Sequence, residues 1–132
     1  MCVDDNELLA EALARRLGAE ADFHWVGIVT DGTSAYNRII ETKPHLVLLD
    51  IDMPDLDSFS VVERLAESSP EIRVLMFSGH VSHEYIRRAI DGGAWGYLSK
   101  NDDIDRLINS LRLAGRGEFV FSSEVEAVMR TH

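Results

Sequence analysis

Short apolar runs alternate along the chain with stretches in which apolar residues return every three or four positions. The first run, Met1-Cys2-Val3, is brief and ends at Asp4-Asp5. Leu9, Leu13 and Leu17, flanked by Ala10 and Ala14, then mark one face of a helix over 7–17, with Asn6 as its cap and Gly18 as its stop. Residues 24–30 read as a strand closed by Asp31-Gly32. Thr33 or Ser34 is the expected cap of a second helix, which turns Ala35, Ile39 and Ile40 inward and ends at Lys43-Pro44. Leu46-Val47-Leu48-Leu49 is apolar without a break, the pattern of a strand covered on both faces. A helix over 58–67 follows, burying Phe59, Val62, Leu65 and Ala66, and then a second buried strand over 72–77. Ser82 is placed to cap a helix holding Ile86, Ala89 and Ile90 inward, and Gly92-Gly93 ends it. Residues 96–99 form a short strand, and Ile104, Leu107, Ile108 and Leu111 the inward stripe of a last helix, stopped by Gly115 and Gly117.

Strictly alternating strands and helices, five of each, require right-handed crossovers and hence a parallel sheet between two layers of helices. The expected fold is α/β, a doubly wound (βα)5 three-layer sandwich spanning 1–115. Residues 116–132 read as a C-terminal extension or the start of a linker, in which Phe119-Val120-Phe121 precedes a short helical stretch capped by Ser122-Ser123. The first strand is the anomaly. It is very short for a central strand, so either the chain begins upstream of Met1 or the fold tolerates a stub.

With 132 residues the chain has the size of one domain. Its net charge of −10, from 23 acidic against 13 basic side chains, argues against a grip on nucleic acid and against adhesion to anionic membranes. A single cysteine, Cys2, excludes an internal disulfide and any multi-cysteine metal site; it reads as a buried, inert thiol. No apolar run approaches the roughly 20 residues of a membrane span. The N-terminus has no basic start followed by an apolar stretch, so the cytoplasm is the expected location. His24, His45, His80, His83 and His132 show no metal-ligand spacing, and Trp25 and Trp95 read as packing or surface aromatics.

In open parallel sheets, ligands bind beyond the carboxyl ends of the strands. Here those ends carry Asp4-Asp5, Asp50, Ser78-Gly79 and, just past the last strand, Lys100. Three carboxylates in one crevice repel one another, and a Mg²⁺ ion, which takes oxygen ligands and a phosphate oxygen together, relieves that repulsion. Asp50 is then placed as a nucleophile in phosphoryl transfer, with the Lys100 ammonium and backbone N–H groups neutralising charge and the Ser78 hydroxyl placed to bond a phosphoryl oxygen. Lys100 is one of only two lysines, against eleven arginines, and a compact point charge suits a single phosphate contact.

Four motifs stand in order: Val3-Asp4-Asp5-Asn6, the run from Leu48 through Asp50-Ile51-Asp52-Met53-Pro54 to Asp57, Met76-Phe77-Ser78, and Gly93-Ala94-Trp95-Gly96-Tyr97-Leu98-Ser99-Lys100. Together they make residues 1–115 resemble the receiver domain of two-component response regulators. The resemblance implies a flavodoxin-like sheet of order 2-1-3-4-5. It implies Asp50 as phospho-acceptor, and Mg²⁺ held by Asp5 directly, by Asp4 through water, by Asp50, and by the backbone carbonyl of Asp52. It implies Ser78 and Tyr97 as the coupled switch and Lys100 as the phosphate contact. The donor would be a histidine kinase or phosphotransfer protein. Such a domain is a signalling module rather than an enzyme, limited to self-catalysed phosphoryl transfer and slow self-dephosphorylation. By side chain, Asp52, Asp55 and Asp57 read as solvent-facing loop charges.

Some features set this chain apart from the family's usual pattern. Ser58 stands where a glycine is usual, Gly79 where alanine is, and Asn101 where many members have proline. A polar residue after the lysine, and the tail from Gly117 to Ser123, resemble the NarL/FixJ-type subgroup, whose members carry a C-terminal DNA-binding domain; no helix-turn-helix follows here. The expected output surface is the fourth helix, fifth strand and fifth helix, or a homodimer through the first and fifth helices, for which Leu8, Leu9 and Leu113 are the apolar candidates. Two other functions compete. Leu48-Leu49-Asp50-Ile51-Asp52 with Phe77-Ser78-Gly79 resembles haloacid-dehalogenase-type phosphatases, with Asp52 as general acid/base. In that family the nucleophile precedes the acidic pair, which is the reverse of the order here, and this chain has no room for a capping domain. The other is a receiver fold used only as a constitutive interaction module, disfavoured because every reactive position is intact.

Overall fold

The apolar runs pair side by side in the computed structural model, which describes residues 1–131. In chain order the elements are β1 (Cys2–Val3), α1 (Glu7–Gly18), β2 (Ile28–Val29), α2 (Gly32–Thr42), β3 (Leu46–Asp50) and α3 (Ser58–Ser68). They continue with β4 (Arg73–Ser78), α4 (His83–Gly92), β5 (Gly96–Ser99), α5 (Ile104–Gly115), β6 (Val120–Phe121) and α6 (Ser123–Arg130). The sheet order is β2-β1-β3-β4-β5-β6 and every pair is parallel. The order 2-1-3-4-5 is therefore present, with one further strand on the β5 edge.

Successive side chains of a strand point to opposite faces, and here both faces are covered. Val47, Leu49, Val74, Met76 and Tyr97 share one core with Ile39, Val62, Leu65 and Ile86 of α2, α3 and α4. Leu48, Leu75, Phe77 and Leu98 share the other with Leu13 of α1 and Leu111 of α5. Helix starts are fixed by side-chain caps: Asn6, Asp31, Asp57, Ser82 and Asp103 each accept a hydrogen bond from a backbone N–H of the first turn. Each such cap is worth about 1 kcal/mol. Asp31 takes the place expected of Thr33 or Ser34, because its carboxylate reaches both the amide and the hydroxyl of Thr33.

The short first strand is fully enclosed. Cys2 and Val3 have no exposed surface, and they pair with Ile28 and Val29 on one side and Leu48 and Leu49 on the other. Burial drives the Cys2 thiol up to about 12, so it is held in the unreactive protonated form. The short β1 also explains why the strand expected over 24–30 is confined to Ile28–Val29: β1 offers only two residues to pair with. Phe23 and Trp25, upstream, pack on the α1–α5 core instead. Ile90 and Ile104, expected inward, are exposed at 44% and 38%, each at the margin of its helix's apolar stripe. His132 lies outside the described residues.

Residues 118–131 differ most from expectation. Val120 and Phe121 pair with Gly96 and Tyr97, making a sixth strand, and Val125 of α6 is fully buried in the core that holds Tyr97. Ser122 opens α6 without a side-chain cap; its hydroxyl accepts the Ser99 amide at 3.0 Å instead. Gly96 is what admits β6 so closely, since a Cβ there would stand 2.2 Å from the Val120 carbonyl oxygen. Gly96→Ala is expected to destabilise the protein by about 2 kcal/mol, a typical overpacking penalty. Amide exchange should then speed up over 119–130 first. Unchanged stability in urea denaturation, with α6 protection intact, would contradict this packing.

Candidate functional site

The carboxyl ends of β1, β3, β4 and β5 open on one crevice, and the sequence places a polar residue at each. Asp4 and Asp5 follow β1, Asp50 ends β3, Ser78 ends β4 and Lys100 follows β5. Carboxylate oxygens from Asp4, Asp5 and Asp50 lie within 4.8 Å of one another. Asp4 and Asp50 are buried and Asp5 is exposed, so the cluster is open to solvent on one side only.

Lys100 answers this negative charge. Its Nζ lies 2.8 Å from Asp4 Oδ2 and 3.4 Å from Asp50 Oδ1. Its position is fixed by its backbone, whose N–H donates to the Ser78 carbonyl at 2.9 Å. Burial works to lower the Lys100 pKa, but the hydrogen bond and charge of Asp4, with Asp50 behind it, outweigh that and raise it above its ordinary value. The ammonium is therefore fully charged at neutral pH. Asp50 moves the other way. Burial pushes its carboxyl up to about 6; the Asp52 amide, donating to Oδ1 at 3.0 Å, opposes the rise and the charge of Asp4 adds to it.

One ammonium does not satisfy three carboxylates. Asp4 Oδ1 accepts the Asn6 amide at 2.9 Å, but Asp4 Oδ2 is buried and faces only the ammonium, with no hydrogen bond of proper angle. An all-oxygen donor set with an under-satisfied buried oxygen and one open side fits a hard divalent cation that keeps some of its waters. His24, His45, His80 and His83 take no part in any such cluster.

Comparisons with known proteins give the family and the fold. The model of the response regulator receiver domain family matches residues 1–112. This chain belongs to that family. The response regulator VraR of Staphylococcus aureus (strain NCTC 8325 / PS 47) is 31% identical to this receiver over 128 residues, which is 97% of this chain and 61% of VraR. The chain thus spans about three-fifths of the length of that relative. The receiver domain of the response regulator NarL from Mycobacterium tuberculosis superimposes with a TM-score of 0.82 at 27% identity, covering 89% of this chain and 94% of that one. A LuxR-family two-component response regulator from Aurantimonas sp. SI85-9A1 superimposes with a TM-score of 0.90 at 23% identity, covering 98% of this chain and 92% of that one, a likeness of fold. The match is to a signalling domain, and the dehalogenase-type reading gains nothing from it. No helix among the described residues is long and apolar enough to cross a membrane.

Within this receiver the expected site residues fall into two groups. Asp4, Asp5, Asp50 and Lys100 meet directly. Ser78 and Tyr97 meet through a loop: the Tyr97 hydroxyl donates to the His80 carbonyl, and the His80 amide donates to Ser78 Oγ at 2.9 Å. Tyr97 is fully buried, and burial raises its pKa, so its hydroxyl keeps its proton. Asp52 is exposed, as expected of a loop charge, yet its carboxylate accepts the Ser78 hydroxyl at 2.9 Å.

Two contributors escaped the sequence reading. Ser58, where a glycine is usual, is buried and donates to the Asp50 carbonyl at 2.6 Å, fixing the backbone that bears the central carboxylate. On the other side of Lys100, the Ser99 hydroxyl donates to Glu124 and accepts the Asn101 amide at 3.0 Å. The tail thereby fastens the residues flanking the lysine. Ser58 stood out only as a replacement for glycine, with nothing local to tie it to a carbonyl eight residues back, and Glu124 lies 25 residues from Ser99.

The raised Asp50 pKa has a consequence for stability. The unfolded carboxyl titrates near 3.8 and the folded one near 6, so the folded protein binds the proton more tightly. That stability is complete below about pH 4 and is lost as pH rises through about 6. In metal-free buffer, Asp50→Asn is expected to stabilise the protein by about 3 kcal/mol at pH 7.5, with the gain fading towards pH 4. Urea denaturation at several pH values reads this directly; a gain independent of pH would contradict it.

Proposed function

We propose that this domain is a phospho-accepting switch in which Asp50 receives a phosphoryl group from a histidine kinase or phosphotransfer protein. The observation that carries the reading is the meeting of Asp4, Asp5, Asp50 and Lys100 at the carboxyl ends of β1, β3 and β5. Receiver domains of this family are phosphorylated by histidine kinases. A Mg²⁺ ion held by Asp5, Asp4, Asp50 and the backbone carbonyl of Asp52 would supply positive charge for the phosphoryl oxygens. The protein's own part is positional. Asp50 is held from both sides, by Ser58 at its carbonyl and by the Asp52 amide at Oδ1. An Asp50 carboxylate oxygen attacks phosphorus, the bond to the donor's nitrogen or oxygen breaks, and an acyl phosphate remains. Lys100 already lies 3.4 Å from that carboxylate and neutralises charge that builds on the transferring group.

Phosphorylation then acts on the loop after β4. Ser78 turns to a phosphoryl oxygen, and the His80 segment and Tyr97, joined to it by hydrogen bonds, respond. Residues 1–115 form the switch, and 116–132 are a C-terminal extension or the start of a linker to an output domain of the NarL/FixJ kind. The acidic surface gives this segment no grip of its own on DNA, and its setting is the cytoplasm. A homodimer would form through α1 and α5, where Leu8 is 79% exposed; the α4–β5–α5 face expected as the alternative is overlain by β6, which pairs with β5, and by α6, which packs on α4 and β5.

Intact mass after incubation with acetyl phosphate and Mg²⁺ tests the reading. One phosphoryl group is expected on the wild type, and none on Asp50→Asn or without magnesium. Lys100→Met should fold and label about a hundredfold more slowly, the loss typical of one charge-stabilising donor. An adduct that persists in Asp50→Asn would overturn the assignment. Turnover of free phosphate esters would favour the phosphatase instead.

A further inference from the structure

Ser78 is fully buried at the end of β4, and its hydroxyl is committed. Oγ donates to Asp52 Oδ2 at 2.9 Å and accepts the His80 amide at 2.9 Å. Both partners of the first bond are held by their backbones. The Asp52 amide donates to Asp50 Oδ1 at 3.0 Å, and the Ser78 carbonyl accepts the Lys100 amide at 2.9 Å. The bond joins the loop after β3 to the loop after β4 across 26 residues.

A serine hydroxyl has one proton to give. Here a carboxylate holds it, and a hydrogen bond to a charged acceptor is stronger than one to a neutral group. A phosphoryl group on Asp50 would present oxygens that compete for the same proton. Its capture requires Oγ–H to leave Asp52 and rotate, while the exposed Asp52 carboxylate is taken up by water. Only hydrogen bonds change in this step.

We propose that Asp52 is a positioning residue which holds the Ser78 hydroxyl away from Asp50 in the unphosphorylated protein and so opposes the switch. The role rests on the phospho-acceptor reading of Asp50. It belongs to the side chain of Asp52, and is separate from any duty of its carbonyl. A carboxylate here also repels an incoming anion by charge alone, and the test must separate that effect from the hydrogen bond.

Beryllofluoride affinity at saturating Mg²⁺, measured by titration calorimetry, does so. Asp52→Ala is expected to bind about tenfold more tightly than wild type, a factor equal to about 1.4 kcal/mol. Asp52→Asn should gain less, because its amide oxygen still accepts from Ser78. In a Ser78→Ala background, Asp52→Ala should change affinity by less than about twofold, since the proton in dispute is gone. An equal gain in both backgrounds, or equal gains from Asn and Ala, would overturn the proposal in favour of charge repulsion. Unchanged or weaker binding by Asp52→Ala would overturn it outright. Failure of the wild type to bind beryllofluoride, as Asp50→Asn should fail, would overturn the phospho-acceptor reading and this role with it.

Discussion

The carboxylates of Asp4, Asp5 and Asp50 converge within 4.8 Å, and a single ammonium, Lys100, faces the two buried ones. Like charges at that range resist being brought together, and the folded scaffold must overcome the resistance. Burial, with the charge of Asp4 adding to it, shifts the Asp50 carboxyl up to about 6, and Asp4 Oδ2 is a buried oxygen with no properly aligned donor. The site is thus locally destabilising and poised for added positive charge. Stability is given up at a functional site and recovered in the two cores on either side of the sheet.

Much of the surrounding structure holds these groups in place. β1 is two residues long, yet it sits between β2 and β3 and carries Asp4 and Asp5 to the crevice. Ser58 and the Asp52 amide hold Asp50, and the Ser78 carbonyl holds the Lys100 amide. The β6–α6 unit completes the support, because Ser122, Glu124 and the close approach at Gly96 fasten Ser99 and Asn101 on both sides of the lysine. Under the proposed phospho-acceptor reading, a second set of hydrogen bonds would make the site responsive. Asp52, Ser78, His80 and Tyr97 form a chain from the acidic cluster to the buried face of β5, and a change at one end alters the partners available along it.

The parallel sheet and its helices were legible because their signals are local and strong: continuous apolar runs at 46–49 and 72–77, and fourfold spacing at Leu9, Leu13 and Leu17. The acidic cluster was legible because strand ends in such a sheet converge, so residues 4, 5, 50 and 100 are joined by topology alone. What escaped depends on partners far along the chain. The strand at 24–30 shrank to two residues because its neighbour β1 is short. The tail looked like a connector because Val120-Phe121 is too brief a run to read as a strand, and its pairing depends on a missing Cβ at Gly96. Asp52 looked like a loop charge because nothing local to it announces the Ser78 hydroxyl.

Three carboxylates crowded at one end of the sheet would make a site for a divalent cation. Thermal unfolding of the wild type across a Mg²⁺ titration, with Na⁺ at matched ionic strength as control, tests it most directly. The melting temperature is expected to rise with the logarithm of Mg²⁺ concentration once the site begins to fill, by mass action on the folded state. In Asp5→Asn, which loses an exposed member of the cluster, the rise should be much reduced. A melting temperature that does not move through millimolar Mg²⁺, or that moves equally in Asp5→Asn, would contradict it.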